Sequence, residues 1–384
     1  QSVLANNRID ASAAIMADAS TGQIIYKQNV DKALPVASIT KLLTILVIED
    51  EIQQKQLSWD TQVKITPEIA AISNDAAYSS IGLKSGQSYS VRTLINAALV
   101  KSADGATVAL ATATGDGTDE FNLKMMQKAK KIGMTKTNIV NSVGLDNGDM
   151  KSFKLADLPN NAANTMSARD VAILSQYFVK HYPELLQITA QKEVKFQIAK
   201  DQVKTEKNLN KMLQGEQYAV KGVTIDGLKT GTSDSAGACF ASTGKYQGHR
   251  IITVILHSKG SNKDNRFKAT QNLYKILKTE DHLQKIKVPS SVTTRKVANG
   301  VEKTMKLTPQ QVTIWSPYDT KTDYTIGTQY KKKKLEAPIW KGERVGSLRI
   351  TSDQLETLNG EPLTYSLYSA NDVRRGNFWQ RLLH

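Results

Sequence analysis

Two groups of strand-like segments flank a long helical region, and this order constrains the fold more than any other feature of the sequence. Residues 12–28 contain two short apolar runs around Ser20-Thr21-Gly22, which predicts a β-hairpin. The periodicity is helical from about residue 39 to about residue 200, strand-like segments return over residues 223–258, and residues 266–278 predict a closing helix. We therefore expect an α/β sandwich, in which both ends of one domain complete a single sheet that helices cover, with a helical lobe inserted.

A change of pattern near residue 288 predicts a second domain. From there to about residue 368 the chain has short alternating segments, such as residues 312–315 and 363–367, separated by glycines and prolines. We expect a first domain over residues 1–285 and a small all-β domain over residues 286–384. The terminal segment from Arg374 mixes arginines with aromatic and leucine residues, so it predicts either the start of an amphipathic surface helix or a segment that caps the β domain.

The sequence carries a large excess of positive charge. Its 384 residues have a formal net charge of +15 and a pI near 9.5. Such a charge favours polyanions, which include nucleic acid, anionic lipid and the phosphate-bearing polymers of a cell wall. The run Lys331–Lys334 predicts a solvated turn or strand edge rather than a recognition patch, and we find no nucleic-acid-binding motif.

Signals for membrane insertion and export are weak. The sequence contains no run of about 18 apolar residues, so it predicts no membrane-spanning helix. It begins QSVLANN without an initiator methionine, which predicts a processed or trimmed start and is compatible with export.

Cysteine and histidine content argues against a disulfide framework and a metal site. The single cysteine, Cys239, lies among small and apolar residues and predicts a buried strand position. The five histidines are scattered without the close spacing that metal ligands usually have.

The segment PVASITKLLTIL contains the first candidate catalytic pair. Three positions separate Ser38 from Lys41, so on a helix the two side chains lie on one face, one turn apart. The apolar run that follows predicts burial, which disfavours the charged ammonium and would leave a base beside a nucleophile. The alternative is a helix-capping serine with a lysine that extends to solvent. A second S-x-x-K, Ser242 to Lys245, lies in a glycine-containing segment that we interpret as a turn.

Two further clusters change the interpretation of Ser38 and Lys41. The first is Lys101-Ser102-Ala103-Asp104 and the second is Lys229-Thr230-Gly231-Thr232; alone, they would suggest helix capping and a polar strand edge. Together, SITK, SAD and KTGT follow the order S-x-x-K, S-x-N and K-T-G, and the chain resembles the serine-type D-alanyl-D-alanine carboxypeptidases, a family of low-molecular-weight penicillin-binding proteins. The resemblance covers nearly the whole chain and includes ASTGQIIY, TMSARDVAIL and LEAPIWKGERVGSLRI.

The resemblance implies a fold and a set of catalytic roles. The fold would be the β-lactamase/transpeptidase-like sandwich, an antiparallel sheet covered by helices with a helical lobe, followed by the all-β domain and the start of a membrane anchor. Ser38 would be the nucleophile, Lys41 its general base, and Ser102 a relay for the proton toward the leaving amine. The oxyanion hole would consist of the backbone N–H groups of Ser38 and Thr232.

The resemblance also implies how the substrate carboxylate is held. Lys229 would supply positive potential, Thr230 and Thr232 would offer hydroxyls, and Gly231 belongs to the same motif. Arg266, in DNRFKAT, matches a family arginine that helps to hold this carboxylate; the alternative is an arginine free on a helix face.

Asp104 departs from the family pattern, which has asparagine at this position. An ionised aspartate accepts hydrogen bonds but cannot donate one to a substrate carbonyl. Beside Lys41 it would also stabilise the ammonium and weaken Lys41 as a base. We therefore expect Asp104→Asn to change the rate of acylation.

The expected reaction is acyl transfer on peptidoglycan stem peptides, with release of the terminal D-alanine, inhibition by β-lactams and no metal or organic cofactor. A class A β-lactamase is the nearest alternative, but the extra β domain argues against it. A second alternative is an impaired homologue that binds cell-wall polymer through its basic surface. A nucleic-acid-binding protein is the last alternative and the least supported.

Overall fold

The computed structural model describes residues 8–383, and the chain divides into two compact units. The first unit comprises Gln1–Ser20 and Ile25–Lys275, and the second comprises Thr21–Ile24 and Ile276–His384. The first seven residues, on which the expectation of a processed start rests, and His384 lie outside the described residues.

The first unit combines strands with helices throughout its length. Its strands are β1 (Ala11–Asp18), β2 (Ile24–Gln28), β3 (Leu34–Pro35), β4 (Gln62–Lys64), β5 (Ser88–Ser90), β6 (Thr137–Asn138), β7 (Thr165–Met166), β8 (Glu193–Ala199), β9 (Gln202–Lys207), β10 (Val223–Ser233), β11 (Gly237–Tyr246) and β12 (His249–Ser258). Its helices are α1 (Thr40–Gln53), α2 (Pro67–Ser73), α3 (Val91–Asn96), α4 (Asp104–Thr112), α5 (Thr118–Ile132), α6 (Ala168–His181), α7 (Leu186–Thr189) and α8 (Asn265–Glu280). Short 3₁₀ segments span Ala37–Ile39, Asn147–Phe153 and Pro183–Leu185, and a π-helical turn spans Ala97–Lys101.

The main sheet has the strand order β10-β11-β12-β1-β2. The pairs β10–β11, β11–β12 and β12–β1 are antiparallel, so strands from both ends of the unit complete one sheet. Helix α6 packs against β1 and β12, and the side chains of β1 from Ala13 to Ala17 are fully buried. The expected α/β sandwich, with its antiparallel sheet and covering helices, is confirmed.

Several local expectations also agree with the structure. Cys239 is buried on β11, and the predicted closing helix is α8.

Two local expectations were wrong. Residues 193–207 form the hairpin β8–β9 rather than helix, because Val194, Phe196 and Ile198 alternate with polar residues and pack one face of the hairpin inward. Ser242 and Lys245 lie within strand β11 and not in a turn, and the turn follows at Gln247-Gly248. On a strand, residues three apart point to opposite faces, so this second S-x-x-K cannot form a catalytic pair.

The second unit is built from short strands around its own apolar core. Its elements are β13 (Asp281–Lys287), α9 (Ser290–Thr293), β14 (Thr294–Lys296), β15 (Thr304–Thr308), β16 (Gln311–Pro317), β17 (Thr325–Tyr330), β18 (Arg344–Thr351), β19 (Leu363–Ser369) and α10 (Phe378–Leu383). A five-stranded sheet has the order β14-β15-β19-β18-β17, and β13 pairs with β16. Met305, Leu307, Leu348 and Leu367 lie in the core beneath the larger sheet, which confirms the expected all-β architecture.

The segment Thr21–Ile24 contributes a side chain to the second unit. The amide of Gln23 donates a hydrogen bond to the carbonyl oxygen of Trp315 at 2.8 Å and accepts one from the Trp315 N–H at 2.9 Å. Gln23 also forms an isolated β-bridge with Thr357.

The C-terminal segment forms a short helix, α10, which agrees with one of the two alternatives predicted for it. Its side chains Phe378, Trp379, Leu382 and Leu383 are all exposed. The lysines at 331–334 are exposed in a turn, also as predicted. Between residues 8 and 383, no helix combines the length and the apolar character needed to cross a membrane.

Candidate active site

The turn that leads into helix α1 holds Ser38 beside Lys41. Ser38 lies in the 3₁₀ segment Ala37–Ile39, and Ala37 has a positive φ of 49°. The Lys41 ammonium nitrogen Nζ lies 2.7 Å from the Ser38 hydroxyl oxygen Oγ. The expected contact across one turn is therefore present, and the lysine does not extend to solvent, since its exposed fraction is 0%.

Lys41 also contacts the second cluster. Its Nζ lies 3.0 Å from Ser102 Oγ and 2.8 Å from Asp104 Oδ1. Ser102 follows the π-helical turn in the left-handed conformation, with φ 60°, and Asp104 begins helix α4. Because the backbone reverses at Ser102, the side chains of Ser102 and Asp104 both contact Lys41.

Burial dominates the electrostatics of Lys41. Desolvation lowers the pKa of its ammonium below the ordinary value, and the charge and hydrogen bond of Asp104 oppose that shift. A lowered pKa provides a neutral amine that can accept the proton of Ser38. Asp104 therefore reduces the effect of burial on the pKa of Lys41 but does not cancel it.

Strand β10 places the third cluster against the turn that holds Ser38. A Cβ atom at Gly231 would lie 2.5 Å from the carbonyl oxygen of Val36 and 3.1 Å from the backbone nitrogen of Ser38, so the close approach requires glycine. Lys229 is buried and donates a hydrogen bond to the carbonyl oxygen of Thr230 at 2.9 Å. Burial, and then the charge of Lys41, lowers the pKa of Lys229 well below its ordinary value.

Arg266 lies at the same end of the site. It begins helix α8, is only 6% exposed, and donates hydrogen bonds from Nη1 to Thr232 Oγ1 at 2.7 Å and to the Gly231 carbonyl oxygen at 3.3 Å. Its Nε is buried and has no hydrogen-bond partner. Arg266 is therefore not free on a helix face, and it retains an unused donor beside the K-T-G strand.

The structure thus brings all the residues proposed from the sequence into one cluster. These residues are Ser38, Lys41, Ser102, Asp104, Lys229, Thr230, Gly231, Thr232 and Arg266. They come from the start of α1, the loop before α4, strand β10 and the start of α8. Among the described residues, no group of three or more histidine, cysteine, aspartate or glutamate side chains is arranged to hold a metal ion.

Two residues that support this cluster were not identified from the sequence. Ser79 donates a hydrogen bond from Oγ to the Lys101 carbonyl oxygen at 2.6 Å, and its own carbonyl oxygen accepts one from the Asp104 N–H at 3.0 Å. Gly144 has φ 98°, and a Cβ there would overlap the Ala37 carbonyl oxygen. The glycine between apolar residues in SVGLDN is a signal of a special backbone conformation, whereas nothing local marks Ser79.

Comparisons with known proteins agree with this geometry. A family model described as D-alanyl-D-alanine carboxypeptidase matches residues 1–260, and one described as the C-terminal domain of penicillin-binding protein 5 matches residues 278–375. The D-alanyl-D-alanine carboxypeptidase DacF of Bacillus subtilis is 25% identical over 372 residues, which are 96% of this chain and 87% of that protein. DacC of Escherichia coli is 26% identical over 386 residues, with 97% and 87% covered.

Solved structures give the same result. The peptidoglycan synthesis regulatory factor PBP3 of Streptococcus pneumoniae superposes with a TM-score of 0.85 at 27% identity, over 96% of this chain and all of that chain. Penicillin-binding protein D2 of Listeria monocytogenes, solved with ampicillin bound, has a TM-score of 0.57 at 30% identity, over 70% of this chain and 97% of that chain. The resemblance inferred from the three motifs is confirmed, the alternatives are not favoured, and this chain belongs to the D-alanyl-D-alanine carboxypeptidase family.

Proposed function

We propose that this protein removes the terminal D-alanine from peptidoglycan stem peptides through an acyl-enzyme on Ser38. The observation that carries this proposal is the position of Lys41, whose buried Nζ is within hydrogen-bond distance of Ser38 Oγ, Ser102 Oγ and Asp104 Oδ1. The desolvated amine of Lys41 can act as the base, the hydroxyl of Ser38 as the nucleophile and the hydroxyl of Ser102 as the proton relay.

In the acylation step, neutral Lys41 accepts the Ser38 hydroxyl proton as Oγ attacks the carbonyl carbon between the two D-alanines. The N–H groups of Ser38 and Thr232 stabilise the oxyanion. Lys41 then passes the proton through Ser102 to the leaving nitrogen, the C–N bond breaks, and D-alanine departs. Water attacks the ester in the second step, Lys41 again accepts a proton, and Ser38 is regenerated as the shortened peptide leaves.

The terminal carboxylate of the substrate would bind at the end of the site that contains Arg266. Thr230 and Thr232 offer hydroxyls, Lys229 lies close enough to Lys41 for the Lys41 charge to lower its pKa, and Arg266 has one unused donor. A bound carboxylate would favour the charged form of Lys229 and so offset part of its desolvation.

The proposal extends to inhibitors, partners and location. β-Lactams resemble the D-alanyl-D-alanine dipeptide and would acylate Ser38, and the ampicillin-bound relative from Listeria supports this. Action on peptidoglycan implies an exported bacterial enzyme at the extracellular face of the cytoplasmic membrane. The exposed apolar side chains of α10 support peripheral anchoring there, and the net charge of +15 supports an anionic cell-wall or membrane surface as partner.

The experiment that tests the proposal is intact mass spectrometry over several hours after addition of benzylpenicillin, with native protein and Ser38→Ala. We expect one persistent covalent adduct on the native protein and none on the variant. In parallel, an acylated Lys-D-Ala-D-Ala tripeptide should release D-alanine only with the native protein. Rapid hydrolysis of the drug without an adduct would indicate a β-lactamase, and absence of both adduct and hydrolysis would indicate an impaired homologue.

A further inference from the structure

The larger sheet of the second unit has one face over the core and one face toward solvent. Its inward side chains, such as Met305, Leu307, Leu348 and Leu367, are buried. Paired residues on antiparallel strands share a face, so the pairs Lys296–Thr304, Thr294–Lys306 and Arg349–Thr364 all lie on the outward face. We call this outward surface, which carries Lys296, Lys306, Arg344, Arg349 and Tyr368, the cationic face.

The cationic face has cations and no acids. Its four cationic side chains are exposed, and strands β14, β15, β17, β18 and β19 contain no aspartate or glutamate. Within residues 8–383, neither Lys296, Lys306, Arg344 nor Arg349 forms a salt bridge. Four unneutralised positive charges on one sheet surface require an anionic partner or solvent ions to balance them.

A β-bulge places the two arginines on the same side. Arg344 and Arg349 are five residues apart on β18, and a regular strand would direct their side chains to opposite faces. The register shifts between Arg344 and Gly346, so that Arg344 pairs with Tyr368 and Arg349 pairs with Thr364, both exposed outward residues. In a regular strand Arg344 would point to the opposite face, so the irregularity adds one positive charge to the outward face.

We propose that the cationic face binds a flexible polyol-phosphate polymer of the cell wall. Arginine and lysine pair with phosphodiester oxygens, and the exposed threonines and Tyr368 offer hydrogen bonds to phosphate and polyol groups. Every exposed residue of the five strands is Thr, Lys, Arg, Tyr, Gln or Gly, so the face has no aliphatic side chain to insert into a bilayer. With Tyr368 as its one exposed aromatic residue, the face also lacks the series of stacking platforms typical of single-stranded nucleic-acid sites.

The choice of a wall polymer rests on the proposed function, because an enzyme that acts on peptidoglycan works among such polymers. The binding itself requires no catalytic step. Binding to the cationic face can be measured on a protein without carboxypeptidase activity. Failure of the binding proposal is therefore distinguishable from failure of the proposed function.

The test is fluorescence anisotropy of a labelled poly(glycerol phosphate) with the full chain, measured over a series of salt concentrations. The variant K296Q/K306Q/R344Q/R349Q removes four charges from the face, and K32Q/K64Q/K84Q/K130Q removes four exposed charges from the first unit as the matched control. The salt slope is the slope of log affinity against log salt concentration, and for a flexible strand each phosphate contact contributes about 0.7 to it. We therefore expect the slope of the first variant to fall by about 3 and its affinity at low salt to fall at least about tenfold. Neither change should occur in the control variant. Thermal unfolding verifies that each variant is folded, whether or not the native protein is acylated by benzylpenicillin. The double variants K296Q/K306Q and R344Q/R349Q replace the quadruple variant if it does not fold.

Each of the following results would overturn the proposal. Equal affinity of native protein and face variant, or an equal loss in the control, would show that the face is not the site. The same loss on replacement of Lys331–Lys334 by glutamine would assign binding to that turn. Tighter, face-dependent binding to phosphatidylglycerol vesicles or to oligothymidylate than to poly(glycerol phosphate) would assign the face to a membrane or to nucleic acid.

Discussion

Asp104 accepts a hydrogen bond from Lys41 at the position where the family motif has asparagine. Asparagine can accept the same hydrogen bond through its oxygen and also donate one from its amide nitrogen, which a carboxylate cannot do. The aspartate also places a carboxyl oxygen 2.8 Å from the amine that we propose as the base. One atom of difference therefore affects both substrate contact and the basicity of Lys41.

We predict that Asp104→Asn increases the second-order rate constant for acylation by benzylpenicillin by about tenfold, the value of one net hydrogen bond of about 1.4 kcal/mol. Removal of the carboxylate also removes the interaction that raises the pKa of Lys41, so burial lowers that pKa further. Since the neutral amine is the active form, the rise of the rate with pH should move to lower pH. Stopped-flow acylation across pH measures both effects, and an unchanged profile would show that Asp104 has no catalytic consequence.

Gly144 allows the turn that holds Ser38 to pack closely. A Cβ there would overlap the Ala37 carbonyl oxygen, and φ is 98°. We predict that Gly144→Ala lowers the free energy of unfolding by about 1–3 kcal/mol and slows acylation about 100-fold, the order expected when a reacting group moves by about 1 Å.

Gly133 is the matched control for this substitution. Its φ is 96°, and a Cβ there would meet no atom within 4 Å. Gly133→Ala should therefore lower stability through backbone strain and leave acylation at the native rate. Equal acylation rates in the two variants would contradict the role assigned to the contact with Ala37.

At the scale of elements, the loop between the π-helical turn and α4 depends on Ser79. Its hydroxyl donates a hydrogen bond to the Lys101 carbonyl oxygen, and its carbonyl oxygen accepts one from the Asp104 N–H, so Ser79 holds both ends of residues 101–104. We predict that Ser79→Ala slows acylation about tenfold, because a Lys101 carbonyl oxygen without its partner loosens the loop that positions Ser102.

Ser90 offers a comparison at the start of α3. Its hydroxyl accepts a hydrogen bond from the Thr93 N–H, so Ser90→Ala should also destabilise the protein by about 1 kcal/mol. Acylation should remain at the native rate in this variant. If Ser79→Ala acylated as fast as native protein, the proposed positioning role would be rejected.

Local patterns predicted the elements but not all of their contacts. The spacing of Ser38 and Lys41 indicated that their side chains lie on one face of a helix, one turn apart, but it left open a lysine that extends to solvent. The hairpin β8–β9 was missed although Phe196 and Ile198 alternate clearly, since the preceding helical pattern was extended too far. Contacts such as Ser79 with Lys101 join segments 22 residues apart and depend on packing that no local pattern encodes.

At the scale of the whole molecule, stability should depend on pH through buried carboxyl groups. Burial, with the charges of Glu184 and Asp50, raises the pKa of Glu49 to about 7 from an ordinary value of 4.5. Between these pH values the folded chain retains a proton that the unfolded chain has lost, so stability falls as pH rises from about 4.5 to about 7. A shift of this size at Glu49 corresponds to an expected loss of about 3 kcal/mol.

We predict that Glu49→Gln weakens this pH dependence without abolishing it, because burial also raises the pKa of Asp281 to about 7. The variant should be more stable than native above pH 7. Urea unfolding at a series of pH values measures the effect. Glu216→Gln, which changes an exposed glutamate, should leave the native profile unchanged. A parallel pH dependence in native protein and Glu49→Gln would show that another group controls acid–base effects on stability.

The segment Thr21–Ile24 has a consequence for how the gene can be divided. Gln23 provides two hydrogen bonds to Trp315 and a bridge to Thr357, yet more than 250 residues of the first unit follow it before the second unit resumes at Ile276. No single cut in the reading frame therefore separates the two units with all their parts. A C-terminal fragment expressed from Ile276 would leave the Trp315 backbone groups without these partners, so recombination between relatives must exchange two distant segments together to transfer this unit intact.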